Sequence, residues 1–421
     1  MAVKSKVASL ACLVLVAAGL HPAAAGAGPD SPQARERQWI DCEIGHMRGA
    51  APYSVWPDLW QAQRAGDAQR VALLEKIAHV PQAKWLAGRS VRAEPARIVG
   101  RYVQNAIASE WGGPDCRTHY QGRQGAGDPY VGNYPVFAIR QLEHEDCGSS
   151  YDGGGPWNRP EGGSYLPWIE KFIAALAPID HRATVIVEPD GLPVVPACLS
   201  PKGAEQRLAL MRAVTRRLGS VPNLTTYIDV GSSRWLRKRQ AVRLLRRSGV
   251  RHIRGFALNT THFYFTKEQL RYGDALARRL GKKYVVNTAE NGQGGLENAK
   301  NVKDRFCNPV NAGLGQLPTT RTGSKHAGAY LWISRPGLSS NGHGGQSQCS
   351  RGPGGNVFWL PQAHQGARLA AFEGQPPWPT PTMSPPPSTH ATRTPQRPPP
   401  NATCATRVSC GSAASTARPA D

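Results

Sequence analysis

The apolar positions between residues 81 and 334 fall into seven short runs. Each run is rich in β-branched and aromatic residues, which is typical of buried strands. The runs cover residues 81–86, 136–142, 184–188, 225–230, 252–259, 283–288 and 329–334. Longer amphipathic stretches between them predict helices at residues 165–176, 205–218, 236–248 and 267–280. Strands and helices that alternate in this way form parallel βα units.

Seven βα units favour a barrel over a dinucleotide-binding sheet, because the chain has no glycine-rich phosphate loop between a strand and a helix. The glycines at 153–155 follow a cysteine-containing loop, and no helix is predicted to begin on them. We therefore predict an α/β fold, a distorted parallel β/α barrel of about seven strands. In such a barrel the functional side chains lie at the C-terminal ends of the strands.

Composition divides the chain into four parts. Residues 1–25 combine the basic Lys4 and Lys6, an apolar run and three small residues, which is typical of a signal peptide and predicts a secreted protein. We expect the barrel domain at 38–375, a Pro/Thr-rich linker at 376–400 and a short cysteine-containing tail at 401–421. The tail has too few apolar residues for a core, so we interpret it as a truncated or remnant module.

The cysteines favour disulfide bonds. Cys12 lies in the predicted signal peptide, and an even number of the nine cysteines remains after it is removed. An even count in an exported chain favours disulfides, and no spacing follows a zinc-binding pattern. We therefore predict disulfide-bonded loops, and we expect no metal and no cofactor.

The formal net charge is +22, and part of it is concentrated at residues 234–251, a segment without any acidic residue. The segment is interpreted as the solvated face of a helix, with adhesion to anionic wall polymers as the alternative. No nucleic-acid motif and no further stretch of membrane length is present. We expect no nucleic-acid or membrane partner, and a monomer.

Three of the predicted strand ends carry an aspartate: Asp146, Asp190 and Asp229. Aspartates at this position often cap the next helix, but in a barrel all three would face one mouth. Clustered carboxylates raise the pKa of at least one member, because like charges resist joint ionisation. A carboxylic acid that stays protonated near neutral pH is what glycoside cleavage requires.

Several ordered motifs together resemble glycoside hydrolase family 6, whose members cut β-1,4-glucan with inversion. The run at 184–190 resembles the acid-bearing strand of that family, and residues 135–139 with Asp146 and Cys147 resemble its second strand. Further matches follow in the family's order at 227–231, 255–259, 291–292, 307–309, 318–320, 331–333 and 336–337. The resemblance covers residues 53–373. It implies a secreted glucanase whose partner is a polysaccharide substrate, a β-glucan.

The resemblance assigns roles to individual residues. Asp190 would be the general acid, Asp146 would keep it protonated and position water, and Asp229 would be a supporting charge. The substrate-binding residues it implies are Trp85, Trp235, Asn259 and Trp332, of which the first two would stack on sugar rings. The disulfides it implies are Cys147–Cys198 and Cys307–Cys349.

The sequence departs from the family pattern around the general base. Asn341, or the neighbouring Ser340, stands where the family carries the aspartate proposed as base, and Leu338 replaces a glutamate. An amide cannot accept a proton from water. Other charged or aromatic family positions are also changed, at Arg140, Glu145, Ser232, Asn287, Glu290 and Ser334.

The sequence therefore predicts an inverting β-1,4-glucanase of weak activity. Two alternatives stay open: an impaired relative that binds a glycan, and a basic cell-wall adhesion protein. Endo or exo action and the identity of the glycan are not decided by the sequence, because both depend on the loops around the cleft.

Overall fold

The computed structural model describes residues 55–78, 80–108, 135–142, 158–159, 161–295, 307–339, 351–354 and 357–376. The predicted signal peptide, the tail and all but the first residue of the linker lie outside the described residues. So do Asp146, Cys147, Asn341 and Cys349. Predictions that rest on these residues stay predictions.

The seven predicted strands are all present and form one parallel sheet, ordered as in the sequence. They are β1 Lys84–Ala87, β2 Val136–Arg140, β3 Ala183–Val187, β4 Leu224–Asp229, β5 Gly255–Leu258, β6 Lys283–Asn287 and β7 Ala327–Leu331. Because the strands run in the same direction, their C-terminal ends share one edge of the sheet.

The two edge strands approach each other without forming a ladder within the described residues. Beyond the end of β7, the Trp332 carbonyl accepts a hydrogen bond from the Ala83 amide at 2.8 Å. The indole Nε1 of Trp85 donates to the Ile333 carbonyl at 2.7 Å. These contacts draw β1 and β7 together, and the prediction of a distorted parallel β/α barrel is confirmed.

Both faces of the strands are buried, which explains the nearly continuous apolar runs. Ala138 and Ile186 belong to a cluster formed by one face of the sheet. Their neighbours Phe137 and Val185 point to the other face and pack with the helices. Successive side chains on a strand point in opposite directions, so each run needs apolar residues at both positions.

The described helices are α1 Trp56–Arg64, α2 Ala68–Ala78, α3 Arg89–Ala93, α4 Pro95–Ala108, α5 Tyr165–Ala175, α6 Val195–Cys198, α7 Pro201–Gly219, α8 Lys238–Arg247, α9 Thr266–Leu280 and α10 Leu360–Arg368. The four predicted helices correspond to α5, α7, α8 and α9. Helix α7 begins four residues before its predicted start, because Ser200 caps it through a 3.1 Å bond from the Gly203 amide and Pro201 occupies its first turn. Among the described residues, no helix is both long and apolar enough to cross a bilayer.

Strand β5 is shorter than its apolar run. Residues Val250–His252 form a 3-10 turn, and the strand begins only at Gly255. A Cβ atom at this glycine would lie 1.7 Å from the Lys283 carbonyl oxygen of β6. The two backbones approach so closely that only glycine fits where β5 enters the sheet.

The basic segment at 234–251 contains the amphipathic helix α8. Ala241, Leu244 and Leu245 are buried, whereas Arg243 and Arg246 are exposed. This arrangement favours the interpretation of the segment as a solvated helix face.

Candidate active site

The C-terminal ends of the strands surround an open cleft. The cleft is lined by Trp85 of β1, Asp190 after β3, Thr261 after β5, Glu290 after β6 and Ser334 after β7. This is the location predicted for the functional residues.

Asp190 is half-buried and faces this cleft. Its Oδ1 accepts a 2.6 Å hydrogen bond from the Thr261 hydroxyl, whose oxygen lies 3.0 Å from Nδ1 of His262. The backbone of Asp190 has a φ of 69°, in the left-handed region that few non-glycine residues adopt. Both the side chain and the backbone of Asp190 are therefore fixed by the surrounding residues.

Asp229 is completely buried beside Asp190. Its Oδ1 accepts hydrogen bonds from the amides of Asp190 at 2.9 Å and Gly231 at 3.0 Å, and its Oδ2 accepts one from the Thr260 hydroxyl at 2.7 Å. Burial, followed by the charge of Asp190, raises the pKa of Asp229 to about 8. The carboxylate cluster predicted from the sequence thus brings Asp190 and Asp229 together, while Asp146 lies outside the described residues.

Glu188 is, like Asp229, a completely buried carboxylate, and it connects two strand ends. The amides of Gln141 and Leu142, which follow β2, donate to its oxygens at 3.0–3.2 Å, and the Tyr165 hydroxyl donates to Oε1. Burial raises the pKa of Glu188, although these donors and the charge of Arg207 oppose the rise. Its hydrogen bonds are used within the protein, so Glu188 positions the loop that carries Asp190.

The two predicted stacking tryptophans differ in position. Trp85 lines the cleft, and the bond from its indole to Ile333 fixes the orientation of the ring. Trp235 is half-buried and contacts the ring of His262, with 5.1 Å between centroids. His262 itself lines the cleft, so Trp235 supports that wall from behind.

Asn259 and Trp332 are buried behind the lining residues. The side-chain amide of Asn259 donates to the carbonyls of Tyr264 and Asn287 at 3.1 and 3.2 Å. The indole of Trp332 donates to the Gln316 carbonyl at 3.0 Å. Both side chains form internal contacts in this arrangement, and their assignment as substrate-binding residues stays a prediction.

Asn287 connects the ends of β5, β6 and β7. Its Nδ2 donates to the Asn259 carbonyl at 2.9 Å and to the Ser334 hydroxyl oxygen at 3.0 Å. Its Oδ1 accepts from the amides of Ile333 at 2.8 Å and Ser334 at 3.2 Å. An aspartate, which the family resemblance leads one to expect here, could not donate to the carbonyl.

Glu290 adds a carboxylate to the cleft where the family resemblance leads one to expect an arginine. The Ser334 hydroxyl, the Gly337 amide and the charge of Arg335 lie close to its carboxyl group and favour the ionised form. Burial outweighs these contacts and raises the pKa of Glu290 to about 7.

Of the cysteines within the described residues, Cys198 and Cys307 are disulfide-bonded. Their predicted partners, Cys147 and Cys349, lie outside the described residues, so both pairings stay predictions. Within the described parts of the chain, no group of three or more His, Cys, Asp or Glu side chains is arranged to hold a metal ion.

The sequence analysis missed Thr260, Thr261 and His262, which bond or pack around the two aspartates. They follow Asn259 directly at the end of β5. Considering all polar residues at strand ends, instead of aspartates alone, would have found them.

Comparison with known proteins identifies the family. The sequence profile described as "Glycosyl hydrolases family 6" matches residues 53–357. This chain belongs to that family. The family 6 match includes every described strand and the residues of the cleft named above.

Individual relatives agree with this assignment. The structure of the endoglucanase Cel6 from Mycobacterium tuberculosis, solved with a thio-linked cellobioside ligand, is 31% identical in sequence and superimposes with a TM-score of 0.56. The match covers 77% of this chain and 99% of the Cel6 chain. Endoglucanase 1 from Streptomyces halstedii is 30% identical over 68% of this chain and 78% of its own length. Endoglucanase A from Cellulomonas fimi is 28% identical over 74% of this chain. The family 6 chain spans only 59% of that last protein's length.

Asn287 generates the first prediction. Replacing it by aspartate should destabilise the protein, because a carboxylate would face the Asn259 carbonyl without a proton to donate. The expected cost is roughly 1–3 kcal/mol for the unsatisfied groups, and more if the carboxylate is charged. Chemical denaturation of the wild type and of Asn287→Asp measures it. A free energy of unfolding equal to that of the wild type would show that the donor function of Asn287 is unimportant.

Asp229 generates a prediction about pH. Its pKa is raised in the folded state, so its contribution to stability is complete below about pH 4 and is lost as the pH rises through about 8. Asp229→Asn stays neutral, so its stability should fall less than that of the wild type between pH 5 and 9. Thermal unfolding of both proteins across this range tests the difference, and parallel curves would contradict it.

Proposed function

We propose that this protein hydrolyses β-1,4-glucan or a closely related polysaccharide with inversion, and that Asp190 is the general acid. The observation that carries the proposal is the placement of the Asp190 carboxyl group in the cleft. Asp190 is held there by Thr261 through its side chain and by Asp229 through its backbone. The endoglucanase names of the family relatives support the same reaction and substrate class.

The cleft suits an extended sugar chain. It is open, and Trp85 contributes an indole whose orientation is fixed by its bond to Ile333. The apolar face of a glucose ring packs well against such a flat surface. Arg140 and Thr261 line the same cleft and supply donors for sugar hydroxyl groups.

Inversion requires a water molecule on the sugar face opposite the leaving oxygen. Asp190 protonates the leaving oxygen as the glycosidic bond breaks, and the water attacks the anomeric carbon. The family resemblance gives Asp146 the role of positioning this water. Because Asn341 replaces the family base, we expect turnover to be slower than in a member with the full set of carboxylates, since general base catalysis contributes about 10²–10⁴-fold.

Glycan binding without turnover is the second candidate function. It is favoured by Leu338, which lines the cleft where the family resemblance leads one to expect a glutamate. Such a protein would be exported and disulfide-bonded like the enzyme, so only turnover separates the two functions. Secretion itself is proposed from the signal-like segment at residues 1–25.

Asp190→Asn tests the proposed function. The amide cannot protonate a leaving oxygen, so hydrolysis of unactivated soluble β-glucan should fall by at least about 10²-fold. Sugar release is measured for the wild type, for Asp190→Asn and for Asp58→Asn, a control on the surface helix α1 that should behave as the wild type. Matching circular dichroism spectra establish that the fold is intact.

Three outcomes are informative. Loss of activity in Asp190→Asn alone supports the enzyme. Unchanged activity in Asp190→Asn removes Asp190 as the acid. Absence of wild-type turnover together with measurable glycan affinity by calorimetry supports the binding protein instead.

A further inference from the structure

The cleft contains a carboxylate that the family pattern does not predict. In the family, the base aspartate follows the seventh strand, and here that position carries Asn341. On the neighbouring β6 loop the chain has gained Glu290, which lines the same cleft as Asp190. An inverting site needs a second carboxylate besides the acid, and Glu290 supplies one.

The topology places Glu290 across the cleft from the acid. Asp190 follows β3 and Glu290 follows β6, so three strand spacings separate them. At about 4.8 Å per strand this is roughly 14 Å along the sheet. Both residues line one cleft, so both can face a sugar that is bound there.

Ser334 and Gly337 lie beside the carboxyl group of Glu290. The amide of Asn287 donates to the Ser334 oxygen at 3.0 Å and so fixes the Ser334 side chain next to Glu290. A lysine at position 334, as the family resemblance leads one to expect, would form an ion pair with Glu290, whereas the neutral serine leaves the carboxylate able to take up a proton near neutral pH.

Two opposing effects set the pKa of Glu290. The positive charge of Arg335, on the β7 loop, favours the ionised form, whereas burial favours the neutral form and raises the pKa to about 7. Across the cleft stand Asp190, His262 and Arg140. A base with a pKa close to the working pH combines a useful ionised fraction with a strong affinity for the proton.

We infer that Glu290 is the general base of this enzyme, a carboxylate that has moved from the β7 loop to the β6 loop. The inference rests on the proposed function, because a base acts only if the cleft hydrolyses a glycoside. It gives the altered positions 287, 290 and 334 a common role. A carboxylate stands at 290 where the family carries an arginine, and the neutral Ser334 stands beside it where the family carries a lysine.

The reaction balances with these two groups. Glu290 removes a proton from water while the water oxygen bonds to the anomeric carbon. The bond from this carbon to the glycosidic oxygen breaks, and the oxygen receives the proton of Asp190. The products are a sugar of inverted anomeric configuration and a new free hydroxyl group. Glu290 returns its proton to the solvent, and Asp190 takes one up.

The first test is the pH dependence of Glu290→Gln. The wild-type kcat/KM should rise as the pH increases through about 7, because the base must be ionised. Glu290→Gln should lower kcat by about 10²–10⁴-fold with little change in KM, and the rise near pH 7 should disappear. The matched control is Glu75→Gln, a half-buried carboxylate on α2 that does not line the cleft and whose pKa is also raised by burial.

The second test distinguishes a base from a residue that only supports the loop. In Glu290→Ala, sodium azide should occupy the space of the carboxylate and water and attack the anomeric carbon without needing a base. An aryl β-cellobioside should then yield the α-glycosyl azide, with Asp190 still protonating the leaving oxygen. A residue with only a structural role would give no azide product, because the cleft would be disordered.

The outcomes separate this inference from the proposed function. Loss of kcat and of the rise near pH 7 in Glu290→Gln, with α-azide from Glu290→Ala, supports both. An active wild type whose rate and pH profile are unchanged by Glu290→Gln overturns the role of Glu290 and leaves the proposed function standing. An active wild type with loss of activity in both Glu290 variants and no azide product also overturns the role. A wild type without turnover on any glucan or aryl glycoside overturns both.

Discussion

The buried carboxylate of Asp229 holds the active-site end of the barrel together. It accepts hydrogen bonds from the loop after β3, from the end of its own strand and from the loop after β5. Through the first of these bonds it fixes the backbone of Asp190, whose φ of 69° needs support from its surroundings. The position of Asp190, and of Thr261 beside it, depends on a group that never reaches the cleft. Asp229 therefore supports the site through its hydrogen bonds. It does so in its neutral form, because burial favours protonation of the carboxyl group.

The opposite wall of the cleft shows coordinated change. Asn287 donates to the Asn259 carbonyl and to the Ser334 oxygen, and the carboxyl group of Glu290 lies beside Ser334. The Asn287 oxygen accepts from the amides of Ile333 and Ser334, so both polar atoms of this side chain have partners. An unmatched polar group would be costly in such a buried position. The same network explains why a return to the family residue at position 287 should destabilise this chain.

The sequence predicted the elements of the barrel well, because strands buried on both faces leave nearly continuous apolar runs. It also brought Asp190 and Asp229 to one mouth by the strand-end rule alone. It could not show that Asp229 is withdrawn from the cleft or that Thr261 contacts Asp190, because these facts depend on side-chain direction and distance across three strands. Glu290 was visible in the sequence only as a departure from the family. Its position in the cleft, beside Ser334 and Arg335, depends on how the β6 and β7 loops fold.

The central claim is that this rebuilt cleft hydrolyses a β-linked glucan by direct attack of water. The anomeric configuration of the first product tests it most directly. Proton NMR spectra recorded during hydrolysis of a soluble cello-oligosaccharide, before mutarotation equilibrates the product, should show the α-anomer of the new reducing end first. Appearance of the β-anomer first, or no new reducing end at all, would contradict the account.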